Sequence, residues 1–342
     1  MALTFEELAQ LAILKGASDI HVVVGEPPIL RVQGVLEVQT DLAIVTPEGA
    51  EEIVSSVATA EQQRVFRDLR ECDFSYVIQD GTHFRVNLHW QQSTAGLVAR
   101  LLTANIPSLH DLFMPEITTH ILQARQGLIL VTGPTGAGKS TSLAAMVNYI
   151  NQERAEHIVT LEDPIEFVFK PKKSVIRQRQ LGTDVLSFAE GLKHVVRQDP
   201  NVVVVGEIRD AETVSVVLML AETGHLVLAT LHTPGAIQAI DRIVDMFPPY
   251  HQDQARFTLA SVLRATIAKR LLPRVSGGRI PAYEVLINTQ AVQGIIRENR
   301  ISQIKSIIQI SGKQGMNTME QALQLLWKAG EISNETFVEA AQ

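Results

Sequence analysis

The segment Gly133-Pro134-Thr135-Gly136-Ala137-Gly138-Lys139-Ser140-Thr141 limits what this chain can fold into more than any other stretch. It satisfies the phosphate-loop pattern G-x-x-x-x-G-K-[ST] at every fixed position. Ahead of it, Gly127 to Thr132 is an apolar run that reads as a buried strand. Behind it, Leu143, Met146, Val147 and Ile150 recur at helical spacing. An incidental glycine-rich turn would not bring both flanks with it; strand, glycine loop and helix in that order give the pattern its meaning. The glycines let backbone N–H groups face a phosphate chain, and the helix N-terminus adds partial positive charge. Lys139 is then placed to reach the β- and γ-phosphates, and Ser140 to ligate Mg²⁺. ATP and Mg²⁺ are the cofactors this predicts.

A length of 342 residues suggests about two domains. The formal net charge of −7 argues against a nucleic-acid partner. The basic groups Lys170 to Lys173 and Lys269-Arg270 with Arg274 read as solvated faces. Cys72 is the only cysteine, which rules out an internal disulfide or a thiolate metal cluster and fits a reducing cytosol. The N-terminus has no signal-peptide pattern, and no apolar run approaches the roughly 18 residues of a membrane span. Direct membrane insertion is therefore not expected, and any membrane association would run through a partner.

Residues 4–15 read as an amphipathic helix with a Thr4/Glu7 capping box and a stop at Gly16. Strands follow over 20–24 and 29–38, then a polar helical stretch over 47–70. Phe74 to Gln79 and Thr82 to Trp90 form a hairpin about Asp80-Gly81. Its alternation puts Phe84, Val86, Leu88 and Trp90 on one face and Arg85 on the other. One more strand, 95–102, carries Arg100. Past a polar connection, strand and helix alternate. His157 to Leu161, Asn201 to Val205, His225 to Leu231 and Ala282 to Ile287 are strands. Ser187 to Gln198 is a helix opening on a Ser187/Glu190 capping box, and the helix marked by Val214, Val217, Leu218 and Ala221 follows Val205. The pattern is that of an α/β sheet with ligands at the C-terminal ends of parallel strands. The tail beyond 289 is mostly helical.

A phosphate-loop enzyme needs an acid to organise Mg²⁺ and a group to orient the attacking water. Acids occur just past two strand ends, in Glu162-Asp163-Pro164-Ile165-Glu166 and in Gly206-Glu207. Glu207 is placed to hold the metal through water, and Glu166 to polarise the nucleophile. The plainer alternative for both is a surface carboxylate capping a helix. His225 and His232 bracket one strand at a spacing that shares no face, so by spacing alone they are ordinary polar residues, as Arg85 and Arg100 are ordinary strand residues.

These motifs together resemble the hexameric secretion and type IV pilus motor ATPases, and within them the twitching-motility retraction motors. Gly16 to His21 with Gly25 to Pro28 is similar to the opening of that family's PAS-like domain. Thr160 to Phe167 is similar to its Asp box, Val205 to Asp210 to its Walker B segment, and Ala221 to Thr233 to its His box. The resemblance implies a PAS-like α+β domain (1–103), a linker (104–120), a RecA-like P-loop ATPase domain (121–288) and a helical segment (289–342). It implies that Glu166 is the catalytic glutamate, that Glu207 is the Walker B glutamate, and that His232 faces the nucleotide. It further implies that His225 is needed for motor function and that Arg85 and Arg100 move onto the γ-phosphate as arginine fingers. The implied setting is a cytoplasmic homohexamer at the inner membrane, held by a pilus platform protein of the type IV pilus machinery. One stretch departs. Retraction motors carry AIRNLIRE, whereas Ala291-Val292-Gln293-Gly294-Ile295-Ile296-Arg297-Glu298 keeps the apolar register and the final Arg-Glu but differs between them. The alternatives are a retraction accessory paralogue, an assembly or type II secretion ATPase, and, in another class, a nucleic-acid motor on the same core.

Overall fold

The computed structural model describes residues 4–102 and 105–341, which form two compact units. The first runs up to residue 105 and includes 164–168; the second holds 106–163 and everything from 169 on. The expected domain boundary at 103/104 lies outside the described residues.

In chain order the first unit contains α1 (Phe5–Leu14), β1 (Ala17–Val22), β2 (Ile29–Val32), β3 (Val35–Val38), α2 (Pro47–Val57), α3 (Ala60–Leu69), β4 (Glu71–Val77), β5 (His83–Gln91) and β6 (Thr94–Leu101). Its six strands are antiparallel in the order β3-β2-β1-β6-β5-β4. The Thr4/Glu7 capping box forms. The polar stretch 47–70 is two helices, because Thr59 and Gln62 make a second capping box that starts α3 afresh. The β4–β5 hairpin turns over Gln79 to Gly81, closed by Ile78 N–H donating to Thr82 O, with Gly81 at φ 86°. That is the three-residue loop with glycine in the left-handed position. Alternation along β5 buries Phe84, Val86 and Leu88 fully, while Trp90 stays half-buried and stacks on Phe66. Phe5 of α1 meets Phe84 edge-on at 5.6 Å, so helix and sheet share one core.

The second unit contains α4 (Ile117–Ile121), β7 (Gly127–Thr132), α5 (Lys139–Glu153), β8 (His157–Glu162), β9 (Val175–Gln180), α6 (Phe188–Val195), β10 (Val202–Val205), α7 (Ala211–Glu222), β11 (Leu226–Leu231), α8 (Ala236–Asp245), α9 (Pro249–Val262), β12 (Leu263–Pro273), β13 (Arg279–Ile287), α10 (Gln290–Arg297), α11 (Ile304–Ile310), α12 (Met319–Lys328) and α13 (Asn334–Ala341). The sheet order is β13-β12-β7-β11-β10-β8-β9. Strands β12 to β9 are parallel; β13 pairs antiparallel with β12 and closes one side. Strands β7, β10 and β11 are buried at every residue, as a parallel sheet covered on both faces requires. Two expectations change. Ser187 caps α6 by accepting from Glu190 N–H, but Glu190 bonds Lys193 instead of reaching back, so the box is half made. The basic group at 269–274 is not a solvated face: it lies on β12, with Lys269 buried, Arg270 donating to Ala340 O and Arg274 paired with Glu331.

One buried carboxylate ties this unit together. Glu284 of β13 accepts from Ala236 N–H at the start of α8 (2.6 Å) and from Met319 N–H at the start of α12 (3.1 Å). Both are helix N-terminal donors with no partner inside their own helix. Glu284→Ala strands two buried N–H groups, and we expect it to lower the unfolding free energy by about 2–5 kcal/mol in denaturant titrations. Glu284→Gln, which keeps one acceptor, should lose less.

Candidate phosphate-binding site

Register sets this site. Leu231 of β11 pairs with Thr132 of β7, and Val205 of β10 pairs with Ala229 of β11 and Leu161 of β8. The residues that leave these strands therefore emerge side by side: the loop from Gly133, His232, Gly206-Glu207 and Asp163. Gly206 N–H donates to Leu161 O and Ile208 N–H to Thr230 O, which holds the Glu207 segment in line with the sheet. Thr230 Oγ1 donates to Gly206 O at 2.5 Å and fixes the turn between them.

The loop needs its glycines. A Cβ on Gly133 would stand 2.3 Å from Lys269 O, and Gly133 lies at φ 149°. Gly136 and Gly138 lie at φ 78° and 79°, where a side chain is strained. Pro134 and Thr135 are exposed, Ala137 is buried, and Gly138 hands over to the 15-residue α5. Ser140 and Thr141 stand in its first turn, Ser140 exposed. Lys139 Nζ donates to Gly133 O (2.9 Å), Pro134 O (3.1 Å) and His232 Nδ1 (3.2 Å). An ammonium has only donors, so Nδ1 is the bare nitrogen of the ring and Nε2 carries the proton. Nε2 then donates to Glu207 Oε1 at 3.1 Å. Glu207 Oε2 takes Arg209 at 2.9 Å, and Arg209 also reaches Asp163 Oδ2 at 3.1 Å. Burial would raise the Glu207 pKa, but the Arg209 guanidinium and the His232 ring outweigh it and hold the carboxyl below its usual range. Glu207 is thus a carboxylate at neutral pH.

This places most of the expected residues. Gly133 to Thr141, His232 and Glu207 form one connected cluster at the strand ends. Glu166 is exposed in the loop after β8, within the 164–168 segment of the first unit. His225 stands at the N-terminal end of β11, its Nδ1 beside Leu220 O (3.1 Å) and Thr223 Oγ1 (3.3 Å). A six-residue strand separates it from His232, about 20 Å. Arg85 and Arg100 are cross-strand partners, and Arg100 also pairs in register with Asp19. Arg100 Nε meets Asp19 Oδ1 at 2.7 Å, and Arg31 reaches the other oxygen at 3.6 Å. The row leaves an excess of cationic charge on one sheet face, with Arg100 64 % exposed. Arg209 and Lys269 escaped sequence reasoning. Arg209 is two residues past Glu207, and its side chain returns to that carboxylate.

A loop of backbone donors, a buried lysine, a first-turn hydroxyl and one ionised carboxylate suit a polyphosphate with a divalent cation. Ser140 and Glu207 are oxygen donors of the kind Mg²⁺ prefers. Residues 2–277 match the family described as type II/IV secretion system protein. The chain belongs to the type II/IV secretion system protein family. It is 39 % identical over 336 residues to the type IV pilus retractation ATPase PilT of Pseudomonas aeruginosa, covering 98 % of this chain and 97 % of that one. It is also 39 % identical over 332 residues to the type IV pilus ATPase PilU of the same organism, covering 97 % and 87 %. A crystal structure of the pilus retraction motor PilT with bound ADP is similar over 99 % of this chain and 97 % of that one, at 43 % identity and a TM-score of 0.92.

In this family member the tight seat of Gly133 gives a direct test. Gly133→Ala forces the loop off Lys269 O, and we expect ADP affinity to fall at least about tenfold in a calorimetric titration, with circular dichroism unchanged. Unaltered affinity would show that the close approach does not shape the loop.

Proposed function

We propose that the chain is a ring-forming, Mg²⁺-dependent ATPase that powers type IV pilus retraction and twitching motility. The observation that carries this is the hydrogen-bonded line from Lys139 through His232 to Glu207 at the ends of parallel strands. Full-length similarity to a retraction ATPase supports the pilus assignment. In this reading residues 121–288 are a RecA-like P-loop domain, 1–103 a PAS-like domain, 104–120 a linker and 289–342 a helical segment.

Gly133, Pro134, Thr135, Gly136, Ala137, Gly138 and Thr141 line the phosphates, with Lys139 bridging the β and γ groups. Ser140 and, through water, Glu207 would hold Mg²⁺, which when bound neutralises charge developing on the phosphates. Glu166 orients the attacking water. His232 links the γ-phosphate region to Glu207, because Nδ1 accepts from Lys139 while the proton on Nε2 goes to the carboxylate. Arg85 and Arg100 supply the finger charge as the units close, which couples hydrolysis to rigid-body motion. His225, at the far end of β11, belongs to motion rather than to bond breaking. The ring is a homohexamer. It works in the cytoplasm against a platform protein of the pilus machinery at the inner membrane; among the described residues no helix is long and apolar enough to cross a membrane.

A second reading, an accessory motor working beside another retraction ATPase, is favoured by equal identity to PilT and PilU. The departing stretch 291–298 spans α10, where Val292, Ile295 and Ile296 are buried while Gln293 and Gly294 are half-buried, so its apolar register serves packing. Pilus retraction in a strain whose only retraction ATPase is this chain separates the readings.

Glu207→Ala is expected to leave ADP affinity within a few-fold and to lower kcat by about 10²–10⁴ in phosphate-release assays. Arg100→Ala should lower kcat more than it raises the ATP dissociation constant. A Glu207→Ala protein with normal turnover would remove that carboxylate from the chemistry.

A further inference from the structure

Lys269 touches both ends of the phosphate loop. Pairing of Ala268 with Thr132 sets it beside Gly133, where its carbonyl oxygen leaves no room for a side chain. Its ammonium donates to Gly138 O (3.3 Å) and Ser142 Oγ (3.0 Å), at the hinge between loop and α5, and lies 5.5 Å from the Tyr283 ring centroid. The residue is 3 % exposed. Among the described residues no carboxylate pairs with it, and burial alone lowers its pKa, to about 8. The other ionisable groups on the elements packed here are Lys139, Tyr149 and Glu153 on α5, Arg279, Tyr283 and Glu284 on β13, Asp241, Arg242 and Asp245 on α8, and Arg264 and Arg270 on β12 itself; β7 has none. Burial raises the Tyr283 phenol and keeps it neutral, and both Glu284 oxygens are engaged by helix N–H groups.

A buried cation without a counter-charge is costly, and the cost falls when an anion arrives. We infer that Lys269 is a positioning residue of the phosphate site, an internal counter-charge that braces the loop through Gly138 and Ser142 and takes up a proton as the nucleotide's phosphates bind. The proton passes from solvent to the neutral amine, and no covalent bond changes. This rests on the nucleotide-binding reading above. The sign follows from the free state. Below pH 8 the amine is already charged, and above it binding must recruit the proton, so affinity falls as pH rises.

The test is calorimetric titration of the full chain with ADP, without Mg²⁺, at pH 8.5 in two buffers of different ionisation enthalpy. The last phosphate pKa is about 6, so ADP itself is fully ionised there. The wild type should take up more than about half a proton per ADP, and its affinity should drop about tenfold from pH 7 to pH 9. Lys269→Arg, charged at every pH, should bind with neither effect. Lys269→Gln, which keeps donors without charge, should bind several-fold more weakly at pH 7, again without uptake. ADP binding by the wild type without uptake, or uptake that persists in Lys269→Gln, overturns the assignment. If a variant fails to fold, the wild-type measurement still decides. Failure of the wild type to bind ADP at all would overturn the nucleotide reading itself.

Discussion

Parallel pairing of β8, β10, β11 and β7 is the constraint from which the site follows. Each pair in that ladder matches residue to residue, so four chain exits are brought to one edge without any long-range coincidence of side chains. The loop, His232, Glu207 and Asp163 are the first groups free of the ladder. Their polar side chains would be too costly within it, where β7, β10 and β11 are buried throughout. Apolar strands thus hold the framework, and charge begins where they end.

The electrostatics then organise themselves along a line. Asp163, Arg209, Glu207, His232 and Lys139 form one chain in which every donor meets an acceptor at about 3 Å, His232 accepting from Lys139 and donating to Glu207. Movement of Lys139 toward a phosphate would release His232 Nδ1 and alter the bond to Glu207. That gives the carboxylate a means of sensing the loop. The first unit has a different arrangement: Arg100 and Arg31 share one buried acid, Asp19, whose carboxyl would be raised by burial but is held low by Ser18 and Arg100, and Arg85 stands beside Arg100 across the strands. Two cations on one carboxylate leave charge to spend on another anion.

Much of this was legible in the residues. The phosphate loop, the strands before Glu207 and His232, and the alternation that turns Arg85 away from Phe84 follow from local pattern, because each is decided by neighbours in sequence. Strand β12 was not legible. Lys269, Arg270 and Arg274 give it the look of a solvated basic segment, and only the sheet reveals that Lys269 is spent beneath the loop and Arg274 on Glu331. Edge strand β9, with Arg177 and Arg179 in a polar run, hid for the same reason. Glu284 looked like any strand glutamate, since its task depends on two helix starts that lie 48 and 35 residues away.

The most direct test of the account is ATP turnover measured together with particle mass across a protein dilution series. The account predicts that specific activity rises with the six-chain particle and disappears as it dissociates, because in the proposed motor it is the ring that drives the closure bringing Arg85 and Arg100 to the nucleotide. Undiminished turnover by the monomer would contradict it.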